Sequence, residues 1–411
     1  MQEPKIEVIP IRTAVRSDGP TSLDVLVRVT PPTPEIHFVR PVINMGLVLD
    51  RSGSMAGAKK MAYAQEAASF AVQQLLPTDR FSVTIFDDAV ETIAPNAPAA
   101  EKPSLIRRIL EITPRGSTAL HAGWKEGGEQ VSANLLGDGL NRVILLSDGL
   151  ANVGVTDPGV IAGEAKALAA RGVSTTTMGL GDDYNEDLMQ AMGESGDGNY
   201  YYIESPMQLA DIFQTEMKGL MANTGHKVSL GIEALGGAAV GEVLNDLGRN
   251  GYGRLMLPNL VVGMPILVVV RLKASAVTRE TELCRFRLAW DDTKGGGRHS
   301  TYVSLTIGSC PSRVWDSLPH DARVAEQVAI LMAARAKKEA IASYDRGDMA
   351  ATVAWIGHAT SEMQAMPSSP EVLHELEQIA KLATDLDEGQ GSKFRKRSSF
   401  QAYQRKHGRE S

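Results

Sequence analysis

The sequence predicts an α/β protein in which a doubly wound, mostly parallel sheet is inserted in a β-sandwich and followed by an α-helical C-terminal region. Three observations carry this expectation. From Pro41 onward, apolar strands alternate with helix-length segments, which implies a parallel sheet covered on both faces. On either side of that stretch the texture is β throughout, with alternating apolar residues and Gly-rich turns. Beyond Asp321 the apolar spacing becomes helical.

The first strands are KIEVIPI and SLDVLVRVT, divided by the turn signal SDGP. Leu23, Val25, Val27 and Val29 alternate with Asp24, Leu26, Arg28 and Thr30, the period of a half-buried strand, and PPTP at 31–34 ends the pattern. In the α/β stretch, strands are expected at Val42–Leu49, Phe81–Phe86, Arg142–Leu146, Val173–Leu180 and Tyr200–Ile203. Helices are expected at Ala58–Leu76, Ser104–Ile112 behind Pro103, Ala119–Leu135, Pro158–Arg171, Glu186–Met192 and Met207–Met221. HKVSLGIEAL, ILVVVRLKA, CRFRLAW and STYVSLTIG return to β texture, joined by turns such as TKGGGRHS. The expected domains are therefore 1–41 with 223–311 as the β-sandwich, 42–222 as the α/β domain, 312–390 as the helical region and 391–411 as a basic tail. That tail, GSKFRKRSSFQAYQRKHGRES, carries seven Lys/Arg against one Glu and is expected to lack fixed structure.

The bulk numbers exclude several classes. A chain of 411 residues exceeds what one compact core usually serves. A net charge of −7 gives the protein no general affinity for nucleic acid or anionic membrane. Cys284 and Cys310, the two cysteines, are too few for a disulfide scaffold or a cysteine-built zinc site. MQEPKIEVIPIRTAV lacks the basic start and apolar core of a secretory signal. The longest apolar run, Leu260–Val270, has 11 residues and is interrupted by Pro265, too short to span a bilayer. The expected compartment is the cytoplasm.

One stretch carries chemistry. NMGLVLDRSGSMAG (Asn44–Gly57) is an apolar strand that ends in Asp50 and then presents Ser52 and Ser54 around Gly53. In an open parallel sheet, ligands bind at the carboxyl ends of the strands. A second strand, RVILLSDG, also ends in a carboxylate, Asp148, and between the two lies PRGSTALHAG, where Gly116 and Ser117 precede Thr118 at a helix start. Three loops would thus bring Asp50, Ser52, Ser54, Thr118 and Asp148 together. Such a set suits a hard divalent cation: magnesium prefers oxygen ligands in near-octahedral geometry and usually keeps some water. Neutral hydroxyls coordinate without adding charge, so the ion stays electrophilic at any open position and attracts a partner's acidic side chain.

At these residues the chain resembles the von Willebrand factor A domain, whose Rossmann-like fold bears a metal-ion-dependent adhesion site of pattern D-x-S-x-S, then Thr, then Asp. All five positions are filled in order, and the resemblance covers about residues 42–222. It implies that Ser52 and Ser54 ligate the metal directly, that Thr118 does so in one conformational state, and that Asp50 and Asp148 often act through water. The ion implied is magnesium, with calcium or manganese as substitutes, and the partner a protein offering Asp or Glu. Arg51, Met55, Gly116 and Ser117 flank the motif and are expected to shape the partner-binding surface. The wider arrangement resembles bacterial stand-alone proteins of this class and, loosely, calcium-activated chloride channel and inter-alpha-trypsin inhibitor heavy-chain relatives.

Taken singly, each of these residues also has a blander role. One Ser or Asp before a helix is usually an N-cap, but capping needs one such residue, not three in alternation with partners elsewhere. Asp148 alone is a turn residue, and Asp87 and Asp88 read as solvated turn carboxylates. GLGDDYNED lacks the spacing of a calcium loop. The enzymatic rival is a magnesium-dependent phosphoryl-transfer hydrolase using Asp50 as nucleophile. Its motif needs a second acid two residues on, where this chain has Ser52. No P-loop occurs, no G-x-S-x-G elbow has a plausible His/Asp set, and His121 is incidental, so the expectation is a binding module and not an enzyme. A third reading makes the helical region the partner-binding surface and the α/β domain a scaffold.

Overall fold

The computed structural model of the chain describes residues 3–32, 41–137, 139–292 and 297–408. Part of PPTP, the glycine-rich centre of TKGGGRHS and the last three residues of the basic tail lie outside them. The chain divides into two compact units, Val39–Ala222 and the segments on either side of it. Among the described residues no helix is long and apolar enough to cross a membrane.

Three strands precede the α/β unit: β1 (Lys5–Pro10), β2 (Ala14–Arg16) and β3 (Thr21–Thr30). The unit itself runs β4 (Ile43–Asp50), a tight 3₁₀ segment Gly53–Lys59, α1 (Lys60–Gln74), β5 (Arg80–Phe86), β6 (Val90–Pro98), α2 (Lys102–Leu110) and α3 (Leu120–Ser132). It continues through β7 (Leu140–Ser147), α4 (Pro158–Ala170), β8 (Val173–Leu180), α5 (Glu186–Ser195), β9 (Tyr200–Ile203) and α6 (Leu209–Met221). The sheet order is β6-β5-β4-β7-β8-β9, parallel except for β6. β4 is buried along its whole length, as a central parallel strand with both faces covered should be. From β4 the chain moves to β5 on one side and later to β7 on the other, so the strand order reverses between β4 and β7. That reversal opens the crevice in which ligands of such sheets sit.

β6 has no counterpart in the sequence-based expectation. VETIAPNAP contains two prolines and no clean alternation. It is an antiparallel edge strand with register irregularities, the position where proline is tolerated because one side of the strand needs no ladder bond.

Helix α3 lies unusually close to the sheet. A Cβ on Gly127 would fall 2.2 Å from Val48 Cγ2, and one on Gly123 would fall 2.5 Å from the Phe86 ring. The missing side chains let the helix rest on β4 and β5, and its approach carries the Thr118 loop over the ends of those strands. Gly127→Val should therefore destabilise the protein by about 1–3 kcal/mol or more through overpacking, read as a lower urea midpoint. An unchanged midpoint would mean that α3 is free to lift.

The second unit resumes with β10 (Asn223–Ala234), β11 (Ala238–Val243), β12 (Leu255–Met256), β13 (Leu260–Val261), β14 (Ile266–Ala274), β15 (Thr281–Asp292) and β16 (Arg298–Cys310). Two sheets form, a four-stranded one ordered β1-β3-β14-β11 and a six-stranded one ordered β12-β10-β15-β16-β2 with β13 against β10. Alternate residues of β3 and β14 from the first, and of β10, β15 and β16 from the second, fill one shared apolar core. Cys284 and Cys310 are free thiols.

Helices α7 (Ser312–Ser317), α8 (Ala322–Asp345), α9 (Met349–Gln364), α10 (Pro370–Asp387) and α11 (Gly391–Lys406) complete the unit. The basic segment expected to lack structure is α11. Its Phe394, Ala402 and Tyr403 are buried, and its cations meet acids of the preceding helices: Arg395 on Asp345, Arg397 on Asp385 and Arg405 on Glu375. The amide of Leu267 on β14 donates to the carbonyl of Gly408 at 3.0 Å, fastening its end. Net charge read locally misleads here because the counter-charges lie on α8 and α10, remote in sequence.

Candidate metal centre

Asp50 is the last residue of β4, and Ser147 and Asp148 stand where β7 ends, so the two carboxylates flank the strand-order reversal. The loops that leave these strands are laced together by backbone hydrogen bonds. Arg51 N donates to Phe86 O, Gly53 N to Gly116 O and Arg115 N to Arg51 O. Thr118 N donates to Asn152 Oδ1, while Thr118 O accepts from the amides of Asn152 and Val153. Gly116 takes the left-handed conformation (φ 70°), and a Cβ there would strike the Asp88 carboxylate at 2.1 Å, so the turn requires glycine.

The structure brings Asp50, Ser52, Ser54, Thr118 and Asp148 to one place. The hydroxyls of Ser52 and Ser54 are 3.0 Å apart, and Ser54 Oγ donates to Asp148 Oδ1 at 2.6 Å. A Cβ built on Gly149 would meet both Thr118 Oγ1 (3.2 Å) and Ser54 Oγ (3.6 Å), so these two hydroxyls border the same point. Asp50 is fully buried, with Oδ1 accepting from Ser52 N at 2.7 Å and Oδ2 accepting from Ser147 Oγ at 2.5 Å. Burial pushes its carboxyl up to about 6, against the hydrogen bonds of Ser147 and Ser52 and with some help from the Asp148 charge. The remaining oxygen of Asp148 accepts from Lys60 Nζ at 2.6 Å.

Among the described residues no group of three or more His, Cys, Asp or Glu side chains gathers. The cluster is a hydroxyl site with two carboxylates, a donor set of hard oxygens alone. Such donors suit a hard divalent cation.

Two flanking residues do not lie where the sequence suggested. Met55 is fully buried in the core of the unit, because the 3₁₀ turn after Ser54 folds it inward. Arg51 is also buried, its guanidinium held by Asp87 at 2.9 Å and Glu91 at 3.2 Å. Neither can shape an outer surface. Asp87, read as a solvated turn residue, is buried as well. Burial works against its charge, but hydrogen bonds from Arg115 and Ala89 N and the Arg51 guanidinium hold the carboxyl below its usual range. Gly116 and Ser117 are exposed beside Thr118. His121 pairs with Glu164 at 3.0 Å. Sequence reasoning overlooked Ser147 and Lys60. Ser147 looked like one more strand residue, and Lys60 sits ten residues past Asp50 with nothing local to mark it.

The sequence profile of the von Willebrand factor type A domain matches residues 44–215. Residues 44–215 are a von Willebrand factor type A domain. Two relatives are YfbK of Escherichia coli K12, 27% identical over 47% of this chain and 34% of its own, and sll0103 of a Synechocystis strain, 30% identical over 46% of this chain and 44% of its own. The match thus spans less than half the length of each of these two relatives. Among solved structures, a von Willebrand factor type A protein from Catenulispora acidiphila has a TM-score of 0.71 at 16% identity, covering 93% of this chain and 90% of its own. The ArnB paralog VWA2 from Sulfolobus acidocaldarius has a TM-score of 0.64 at 19% identity, covering 99% and 98%. In families that include the inter-alpha-trypsin inhibitor heavy chains, the von Willebrand factor type A domain is a protein-interaction module and generally not an enzyme.

Proposed function

We propose that this von Willebrand factor type A domain is a metal-dependent protein-binding module that captures an acidic side chain of a partner through a divalent cation, in a bacterial intracellular complex in the cytoplasm. Ser52, Ser54 and Thr118 hold the ion, Asp50 and Asp148 balance its charge directly or through water, and magnesium is the ion favoured, with calcium or manganese as substitutes. Gly116 and Ser117 belong to the rim that meets the partner. The same reading takes 1–41 with 223–311 as a β-sandwich domain, 42–222 as the adhesion domain and 312–390 as a helical region.

The observation that carries the proposal is the meeting of three hydroxyls and two carboxylates at the reversal of strand order, on loops tied to one another by their backbones. Caps and turns explain each residue singly but not their convergence. The full burial of Asp50, with both oxygens occupied, weighs against the phosphoryl-transfer alternative, whose nucleophile must reach a phosphate ester.

Magnesium titrated calorimetrically into the wild-type chain should bind at one site, and Ser52→Ala/Ser54→Ala should abolish the heat. A protein captured from native lysate in magnesium should be released by chelator and missed by Asp50→Ala, with the chain still folded. Capture that survives both treatments removes the reading.

A further inference from the structure

Lys60 is the one cation in direct contact with the cluster among the described residues, and neither the domain pattern nor any chemistry argued above accounts for it. It opens α1, and its side chain is only 16% exposed. The ammonium donates to Asp148 Oδ2 at 2.6 Å, on the oxygen that Ser54 leaves free. The ammonium also lies under the turn after β8, where a Cβ on Gly181 would sit 3.8 Å from Nζ. The backbone delivers it there at some cost. Ala58 and Lys59, immediately before it, both adopt the left-handed conformation (φ 48° and 59°), which non-glycine residues rarely take.

Asp148 is fully buried, and an unpaired charge there would be expensive. Lys60 offsets that charge from within the chain. A divalent ion held by Ser54 would draw on the same carboxylate, and the ammonium would stand beside it with like charge. The two cations would then compete for one buried acid.

Resting on the metal-site reading above, we propose that Lys60 is a built-in rival of the divalent cation. It neutralises Asp148 when the ion is absent and weakens the ion's affinity when it is present, so that the site fills only where metal is plentiful or a partner's acid adds its own charge.

The test is calorimetric titration of magnesium chloride alone into the full chain at neutral pH, for wild type, Lys60→Met, Lys60→Gln and Lys60→Arg. Methionine keeps the unbranched stem and removes the charge; thermal melts in chelator show that each variant is folded. Both neutral variants should bind magnesium roughly fivefold or more tightly than wild type, as expected when a like charge is removed from beside a doubly charged ion, while Lys60→Arg stays close to wild type. Equal affinity across the set overturns the proposal. Weaker binding in both neutral variants also overturns it, because Lys60 would then be orienting Asp148 for the ion. Should wild type bind magnesium without any gain in the variants, only the rivalry is lost. Should neither wild type nor variants bind, the metal site itself is lost, and the rivalry with it.

Discussion

Replacing Glu375 by glutamine should cost roughly 3–5 kcal/mol, the usual penalty for removing one partner of a buried ion pair. Glu375 on α10 is buried between Lys337 of α8, itself fully inaccessible, and Arg405 of α11. Burial alone would raise the glutamate's pKa, yet the two cations outweigh it and hold the carboxyl below its ordinary range. Burial pulls the Lys337 ammonium the other way, downward, against the support of Glu375. The glutamine variant leaves a buried ammonium facing a neutral amide. Hydrogen exchange in α8, α10 and α11 should accelerate sharply in it, and the transition of this unit should fall to lower urea. The sign with pH follows from the depressed carboxyl. The contribution of Glu375 is present above the unfolded-state value of about 4.3 and is lost as pH falls through the lower folded-state value. A triple replacement, Lys337→Met/Glu375→Leu/Arg405→Met, should recover most of the loss, since apolar residues of similar volume often substitute for buried ion pairs. If Glu375→Gln exchanges like wild type, the triad does not hold the helices together.

Asp50 should behave in the opposite way. With the metal chelated, Asp50→Asn is expected to stabilise the protein at pH 7.5, while abolishing any stabilisation by magnesium. The carboxyl titrates near 3.9 when unfolded and at about 6 in the folded chain. Between those values the folded state binds a proton that the unfolded state has released, so stability falls as pH rises and the full deficit stands above pH 6. A shift of about two units corresponds to about 3 kcal/mol, an upper figure for the gain from asparagine. The difference between wild-type and Asp50→Asn melting temperatures in chelator, measured from pH 4 to 8, isolates this group from other titrations. The two curves should separate as pH rises. Parallel curves would show that Asp50 is not burying its charge at a cost.

If the proposed metal site is right, a buried carboxylate that lowers the stability of the metal-free fold would gain most from an arriving ion, and both Asp50 effects would have that one origin.

The sheet and its order of elements were legible because parallel strands buried on both faces leave apolar runs such as MGLVL, and because helices of ordinary length separate them. Asp50, Ser52 and Ser54 were legible because one loop carries all three at fixed spacing. Thr118 and Asp148 could be named only as members of a set, since each alone reads as a cap or a turn. Legibility failed wherever a residue's role depends on partners remote in the chain. Met55 turns into the core and Arg51 toward Asp87, and nothing in the DRSGSM string encodes either direction. Lys60 matters only because Asp148, 88 positions later, folds beside it. The helix at 391–406 failed as an expectation for the same reason, because its acids lie on neighbours 12 to 50 positions away.

The lacing of the site's loops by main-chain bonds, Gly53 to Gly116, Arg115 to Arg51 and Thr118 to Asn152 and Val153, holds their path without help from the side chains of Ser117 and Leu150. Ser117 and Leu150, both exposed beside that lacing, can be rewritten while the frame behind them stays put. On the proposed reading, a library randomised at those two positions would vary the partner-facing rim while the loops beneath it keep their course.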